Sequence, residues 1–253
     1  MHRQLISRCL ITNFLKTYTE TITSKAANLL ESWDVLADRG EPCDVQPMLA
    51  RCTLDIIASV AFGIEFDSLR KDDQSRWTHA ADCILDETAL LSFLPRWLRF
   101  FGGRRARFNH ELAWVREQLA AHDLATKGTA GAVGGEDKTV MTMIAQLRKV
   151  KDEEGLLTEE EIVQEVLTMG GAGHETTGNT LSWACYLLGK HPEVQATLVA
   201  ELRAHVTGAV PTYDEATKSL PFTLACVYET LRLYSAWLLR HIDFLAANQN
   251  RGR

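Results

Sequence analysis

The stretch Gly170–Thr180, "GGAGHETTGNT", carries four glycines and three threonines in eleven residues. Such a composition reads as a loop, yet it lies inside a helical pattern. Ile162, Val166, Met169, Gly173, Thr176, Thr180, Trp183 and Leu187 recur at spacings of three and four, the period of one helix face. Thr158 followed by Glu161 is a capping box, in which hydroxyl and carboxylate each satisfy a backbone N–H at the helix start. Gly189 closes the pattern. The result is a helix over about 159–189, roughly 45 Å long at 1.5 Å per residue.

Two familiar motifs are close and fail. "HETTG" opens like HExxH, but Gly178 stands where the second zinc ligand belongs. "GHETTGNT" fits the phosphate loop except that Asn179 replaces lysine, and helix precedes it where that loop requires a strand. Each glycine in a helix costs roughly 0.8–1 kcal/mol against alanine, so the cluster has a reason. One reading is a flat ligand laid on the small residues Ala172 and Gly173, with the Thr176 hydroxyl on the same face and Glu175 beside it to exchange protons. The other is tight helix–helix packing through small residues, with Thr176 bonded to its own backbone.

Outward from this element the chain is helical. The spacing predicts helices over about 14–38, Leu49–Phe62, 75–91, 104–125, 138–150, 192–206 and 221–234, with proline at the first position of the last two. Thr212 and Glu215 repeat the capping box. "KGTAGAVGGED" (127–137) reads as a flexible loop, and no convincing strand run is present. The helix from Pro221 is apolar nearly all round and is expected to be buried, which places Glu229 beside Arg232, its partner three residues on.

The 253 residues are 46% apolar and 24% charged, the composition of a globular chain. A net charge of −6 provides no basic field for nucleic acid. No uninterrupted apolar run reaches the ~18–20 residues of a membrane span. Cys9, Cys43, Cys52, Cys83, Cys185 and Cys226 form no CxxC or Cys/His pairing, so no metal site and no disulfide framework is expected. His174 points about 200° round the helix from Thr176 and is expected at the surface or between helices. The acidic run "KDEEGLLTEEE" (151–161) reads as solvated. "LLSFLPRWLRFFGGRRARF" (90–108) mixes aromatic residues with five arginines between Arg96 and Arg107. That suits a membrane surface near 91–108 or an amphipathic helix pair with a solvated basic edge.

"AGHETT" (Ala172–Thr177) resembles the A/G-G-x-D/E-T-T/S signature on the long helix of the cytochrome P450 family of haem-thiolate monooxygenases. "ETLRLY" (Glu229–Tyr234) resembles that family's ExxR signature. "CTLDIIASVAFGIEFDSL" (Cys52–Leu69) and "HRQLISRCL" (2–10) are similar to two of its upstream helical segments. The resemblance implies a mainly α fold: a single partial cytochrome P450 domain over 1–253, with most of the family's β structure missing and an atypical tail over 235–253. It implies haem on Ala172 and Gly173 with Thr177 adjacent, and proton delivery by Thr176 and Glu175. Glu229 and Arg232 become structural, and Arg3 meets a haem propionate, without the tryptophan that accompanies it in the family. It further implies an electron-donating reductase, a lipophilic small-molecule substrate and, for a full-length eukaryotic parent, the endoplasmic reticulum membrane.

The family's iron ligand is a cysteine within FxxGxRxCxG, and none of the six cysteines has that surround; Ser235 stands where proline is usual. The stretch therefore reads as the middle of such a protein. Without the thiolate whose electron donation promotes O–O cleavage, it is expected to be inactive alone. The alternative is a non-catalytic helical interaction protein derived from the family. Substrate identity is not encoded in these residues.

Overall fold

The computed structural model describes residues 12–40, 42–69, 76, 79–80, 83–84, 104–126, 132–133, 140–155, 157–208 and 210–234. The helix predicted over 75–91 is therefore described only at five positions. Arg3, residues 91–103 and the tail from 235 lie outside the described residues.

In chain order the elements are α1 (Thr12–Arg39), α2 (Val45–Ile57, continuing as a π-helical turn Ala58–Phe62), α3 (Arg104–Thr126), β1 (Ala132–Val133), β2 (Val140–Met141), α4 (Met143–Glu154), α5 (Glu159–Lys190), α6 (Pro192–His205), a π-helical turn (Glu215–Ser219) and α7 (Pro221–Leu233). The mainly α expectation holds. Two local differences appear. Ala132 and Val133, within the stretch read as loop, pair antiparallel with Val140 and Met141 in register Ala132↔Met141 and Val133↔Val140. The helix expected from 138 starts instead at Met143, because Thr142 is its N-cap and accepts from the Ala145 N–H at 3.3 Å.

Contacts divide the chain into two compact units, Met1–Thr21 with Leu54–Gly173, and Ile22–Thr53 with His174–Arg253. In the first, Tyr18, Val60, Ala61, Met143, Ile144, Leu147, Leu157 and Ile162 are buried together. Gln146 Nε2 donates to the Tyr18 hydroxyl at 2.6 Å inside this core, so the two polar groups satisfy one another where water is excluded. α2 ends at Gly63, whose φ of 75° accepts the reversal that a side chain would resist. The following loop folds back: buried Asp55 accepts from the Ser68 N–H at 3.0 Å and its hydroxyl at 2.6 Å, and Ser59 donates to Glu65 at 2.6 Å. This tie holds Asp67, at φ 54°, in a conformation that non-glycine residues seldom adopt.

In the second unit, Leu29, Leu49 and Cys52 are buried. The start of α7 is capped from α6: Glu201 accepts from the N–H groups of Phe222 and Thr223, and from the Thr223 hydroxyl, each at 2.7 Å. Burial raises the Glu201 pKa, and these bonds to the charged form outweigh it, leaving the carboxyl below its ordinary value. The N-cap residue of α7, Leu220, has no polar side chain to cap the helix start, and a carboxylate from a neighbouring helix fills the role.

Both capping boxes form. Glu161 accepts from the Thr158 N–H at 2.8 Å while its own N–H donates to Thr158 Oγ1 at 3.3 Å; Thr212 and Glu215 repeat this at 2.8 and 3.3 Å. Glu215 also accepts from the Thr207 hydroxyl at 2.9 Å. The backbone N–H and hydroxyl of Thr212, then those of Thr207, hold its pKa down at about 2. The folded value lies below the ordinary 4.5, so the stabilisation is complete above about pH 4.5 and is lost as pH falls towards 2. Thermal melts of the chain and of Glu215→Gln are expected to differ at pH 6, the variant melting lower, and to converge near pH 2. Equal differences at both pH values would contradict this.

Candidate functional site

α5 presents three faces around the glycine cluster. Gly170, His174 and Gly178, spaced by four, are all buried. A side chain at Gly170 would meet the Phe62 ring at 3.3 Å, and one at Gly178 would meet the Ala50 Cα at 3.2 Å and Thr53 Oγ1 at 3.3 Å. Thr53 Oγ1 also donates to the His174 carbonyl oxygen at 2.8 Å. These residues are spent on close approach of α2. His174 is 2% exposed, the interhelical placement expected on a face away from Thr176.

Gly173 is half-buried, and its missing side chain is replaced by Ile57, whose Cδ1 lies 3.3 Å from where a Cβ would stand. The expected bare Ala/Gly floor is thus narrower than the sequence suggested, because one of its two glycine-like positions faces an isoleucine. Ala172, Thr176 and Thr177 are exposed and Glu175 is half-buried. The Thr176 carbonyl accepts from the Thr180 hydroxyl at 2.8 Å, as the Gly178 carbonyl does from Ser182. The helix therefore uses the packing reading on one side and keeps small, exposed residues on another.

Within the first unit a cavity of about 600 Å³ opens beside this helix, walled by Leu54, Phe62, Phe66 and Leu112 and reaching Gly171 and Ala172. Its size is that of a small-molecule site. Arg116 from α3 and Gln164 and Thr168 from α5 are its polar members. None of these three was singled out from the sequence, since their meeting depends on how α3 lies against α5.

On α7, Glu229 and Arg232 form the predicted pair, through two parallel bonds of 2.7 and 2.6 Å. The Arg232 guanidinium lowers the Glu229 pKa. The expected burial is not found: the side chains are 53% and 66% exposed, and Leu224, Val227, Tyr228, Leu231 and Leu233 are exposed too. An all-round apolar helix is buried only where elements cover every side, and here the described neighbours cover one. Trp183 on α5 stacks on Tyr234 with centroids 4.0 Å apart, an arrangement the sequence did not reveal.

Of the cysteines, Cys52 is buried and donates to the Lys25 carbonyl at 3.7 Å, Cys43 is exposed, and Cys83, Cys185 and Cys226 are half-buried. Burial pushes the Cys185 thiol up, and burial followed by the Glu201 charge does the same to Cys226, away from the thiolate state.

A helical fold built on one long helix, with a small-residue face, a neighbouring acid and a Glu–Arg pair two helices later, defines a recognisable class, and the comparisons agree with it. The family model described as Cytochrome P450 matches residues 1–242, and the chain belongs to that family. It is 30% identical over 244 residues to cytochrome P450 monooxygenase 205 of Postia placenta, covering 87% of this chain and 44% of that protein. It is 30% identical over 255 residues to human cytochrome P450 4F2, covering 92% and 47%. The solved heme domain of cytochrome P450DA superposes with a TM-score of 0.74 at 27% identity, over 92% of this chain and 49% of that one. The chain thus spans about half the length of the relatives it matches.

Proposed function

We propose that the chain carries the oxygen-side helix of a haem-dependent monooxygenase that takes electrons from a reductase and acts on a lipophilic small molecule. The observation that carries this reading is Ala172, an exposed methyl on α5 that also lines the cavity, with the exposed hydroxyl of Thr176 one turn on. A flat macrocycle needs a helix face free of bulky side chains, and these two residues fit that need. Haem, when bound, supplies the iron at which dioxygen is activated. Ala172, Thr177 and the backbone at Gly173 are the contact surface, and Arg3 pairs with a propionate. Thr176 passes a proton through its hydroxyl, and half-buried Glu175 connects it to solvent. Glu229 and Arg232 are structural on this reading, holding the core near the haem-binding loop.

No cysteine of the sequence stands in the family's ligand pattern, so these 253 residues expressed alone are expected to show no monooxygenase activity. For a whole eukaryotic protein the reading extends to the endoplasmic reticulum, with residues 91–108 at the lipid surface. A second reading, a non-catalytic interaction protein, is favoured by the exposed apolar residues of α7.

Haemin titration of the chain, followed by absorbance, separates the two. Ala172→Leu is the informative variant, since Ala172 is exposed, whereas leucine at Gly173 would collide with Ile57 and confuse binding with folding. Saturable binding weakened about tenfold or more in Ala172→Leu is expected, the scale of an overpacked contact of roughly 1–3 kcal/mol. No saturable binding, or binding equal in both, would leave the interaction protein as the better reading.

A further inference from the structure

Within the second unit a groove of about 530 Å³ runs between the end of α5, α6 and α7. Leu187 and Leu188 of α5, Val194 and Leu198 of α6, and Cys226 and Leu233 of α7 line it. Val227 and Leu233 are 39% and 47% exposed there. A contiguous apolar face left open in this way marks a contact site. The path of the backbone at the end of α7 decides what stands nearest to it. The Tyr234 N–H donates to the Thr230 carbonyl at 2.8 Å, and the Tyr234 ring stacks on Trp183 with the two planes 3° apart. Trp183 lies one helical turn before Leu187 on α5. The chain therefore leaves α7 at one end of the groove, held against one of its walls.

We propose that this groove is the docking site of the chain's own segment 235–253, which lies in it as an amphipathic helix antiparallel to α7. The sequence supplies the pattern. Leu238, Leu239, Ile242, Leu245 and Ala246 recur at spacings of three and four, one face of a helix, and Arg240 and Ala247 fall on the opposite side. Ser235 is of the residue type that opens helices at the N-cap, and the polar run "NQNRGR" (248–253) follows the last apolar position. Residues 234 and 235 then make the connection, within the roughly 2–5 residues that join antiparallel helices. The lengths agree: Leu238 to Ala246 covers about 12 Å at 1.5 Å per residue, and Thr223 to Leu233 on α7 offers about 15 Å. Proximity selects this occupant over a second copy of the chain. A segment tied to the rim meets the groove at an effective concentration on the order of millimolar, whereas a second copy offers the same stripe only at its concentration in solution. The inference stands apart from the haem reading, since no groove residue is a haem contact on that reading.

Cys226 is a groove residue and half-buried, so its thiol reports whether the groove is covered. Iodoacetamide labelling of the 253-residue chain, read by peptide mass spectrometry, should modify Cys226 about tenfold more slowly than in Ile242→Asp, because alkylation needs an accessible thiol. Arg240→Ala, off the stripe, should label like the parent. Exposed Cys43 and buried Cys52 are references in every sample: an unchanged rate at Cys43 and protection at Cys52 show that the fold persists. Ile242→Cys places no charge on the stripe and decides the matter even where Ile242→Asp unfolds. A short bismaleimide should link position 242 to Cys226 within one chain, at monomer mass on a denaturing gel, and should do so severalfold less from Arg240→Cys. Equal labelling of Cys226 in the parent and a folded Ile242→Asp would overturn the proposal, as would equal linking from positions 240 and 242 or no link at all. A link found only in dimers would overturn it in favour of a second copy as the occupant.

Discussion

Replacing Gly178 by leucine is expected to lower the thermal midpoint of the chain by about 2–12 °C. The new Cβ would stand 3.2 Å from the Ala50 Cα and 3.4 Å from its nitrogen. Those are backbone atoms inside α2, which cannot swing aside as a side-chain tip does. Overpacking of this kind costs roughly 1–3 kcal/mol, and in a chain of this size each kcal/mol moves the midpoint by about 2–4 °C. The displaced helix would also stretch the bond from Thr53 to the His174 carbonyl. Gly189→Ala is the matched control. A Cβ there meets nothing within 4 Å and the glycine has no positive φ, so alanine should raise stability by up to about 1 kcal/mol through helix propensity. Melting followed by circular dichroism at 222 nm checks both. A Gly178→Leu chain that melts with the parent would mean that α2 does not lie against α5 at this point.

The second large effect is expected in the first unit's core. Leu147 is 1% exposed and is buried among Tyr18, Val60, Met143 and Ile162. Truncation to alanine removes three heavy atoms and leaves a void that fixed helices do not fill, a loss of about 2–5 kcal/mol. The loss should appear as a fall in the urea midpoint with an unchanged slope, because the surface exposed on unfolding is nearly the same. Leu147→Met, close in volume, should cost less than about 1.5 kcal/mol. Equal effects from the two would mean that the side chain is not in a close-packed core. Neither substitution touches Ala172 or Thr176, so haemin binding below the melting range should be unchanged in Leu147→Met.

Local features were legible before the structure. The capping boxes at Thr158 and Thr212 lie within four residues of their partners, so the chain encodes them without reference to anything distant. The long helix was placed to within one residue at its end, since its apolar period and its cap are both local. The Glu229–Arg232 pair was legible for the same reason. What surrounded it was not. A wheel of α7 says which side chains could be buried, not whether another element arrives to bury them, and Tyr228 remains 63% exposed.

The glycine cluster shows the division most clearly. Composition and spacing alone determined that a helix here carried small residues and a threonine beside an acid; the family came from the resemblance of two motifs, Ala172–Thr177 and Glu229–Tyr234, to those of the cytochromes P450. They left open whether the glycines served packing or a ligand. The tertiary structure assigns Gly170 and Gly178 to packing and leaves Ala172 and Thr176 exposed, because the deciding neighbours come from α2: Thr53 and His174 are 121 positions apart. Arg116 reached its cavity in the same way, from a separate helix. Hydrogen bonds within a turn are written in the sequence that forms them; which face of a helix is covered depends on residues far along the chain, whose approach only close packing in three dimensions determines.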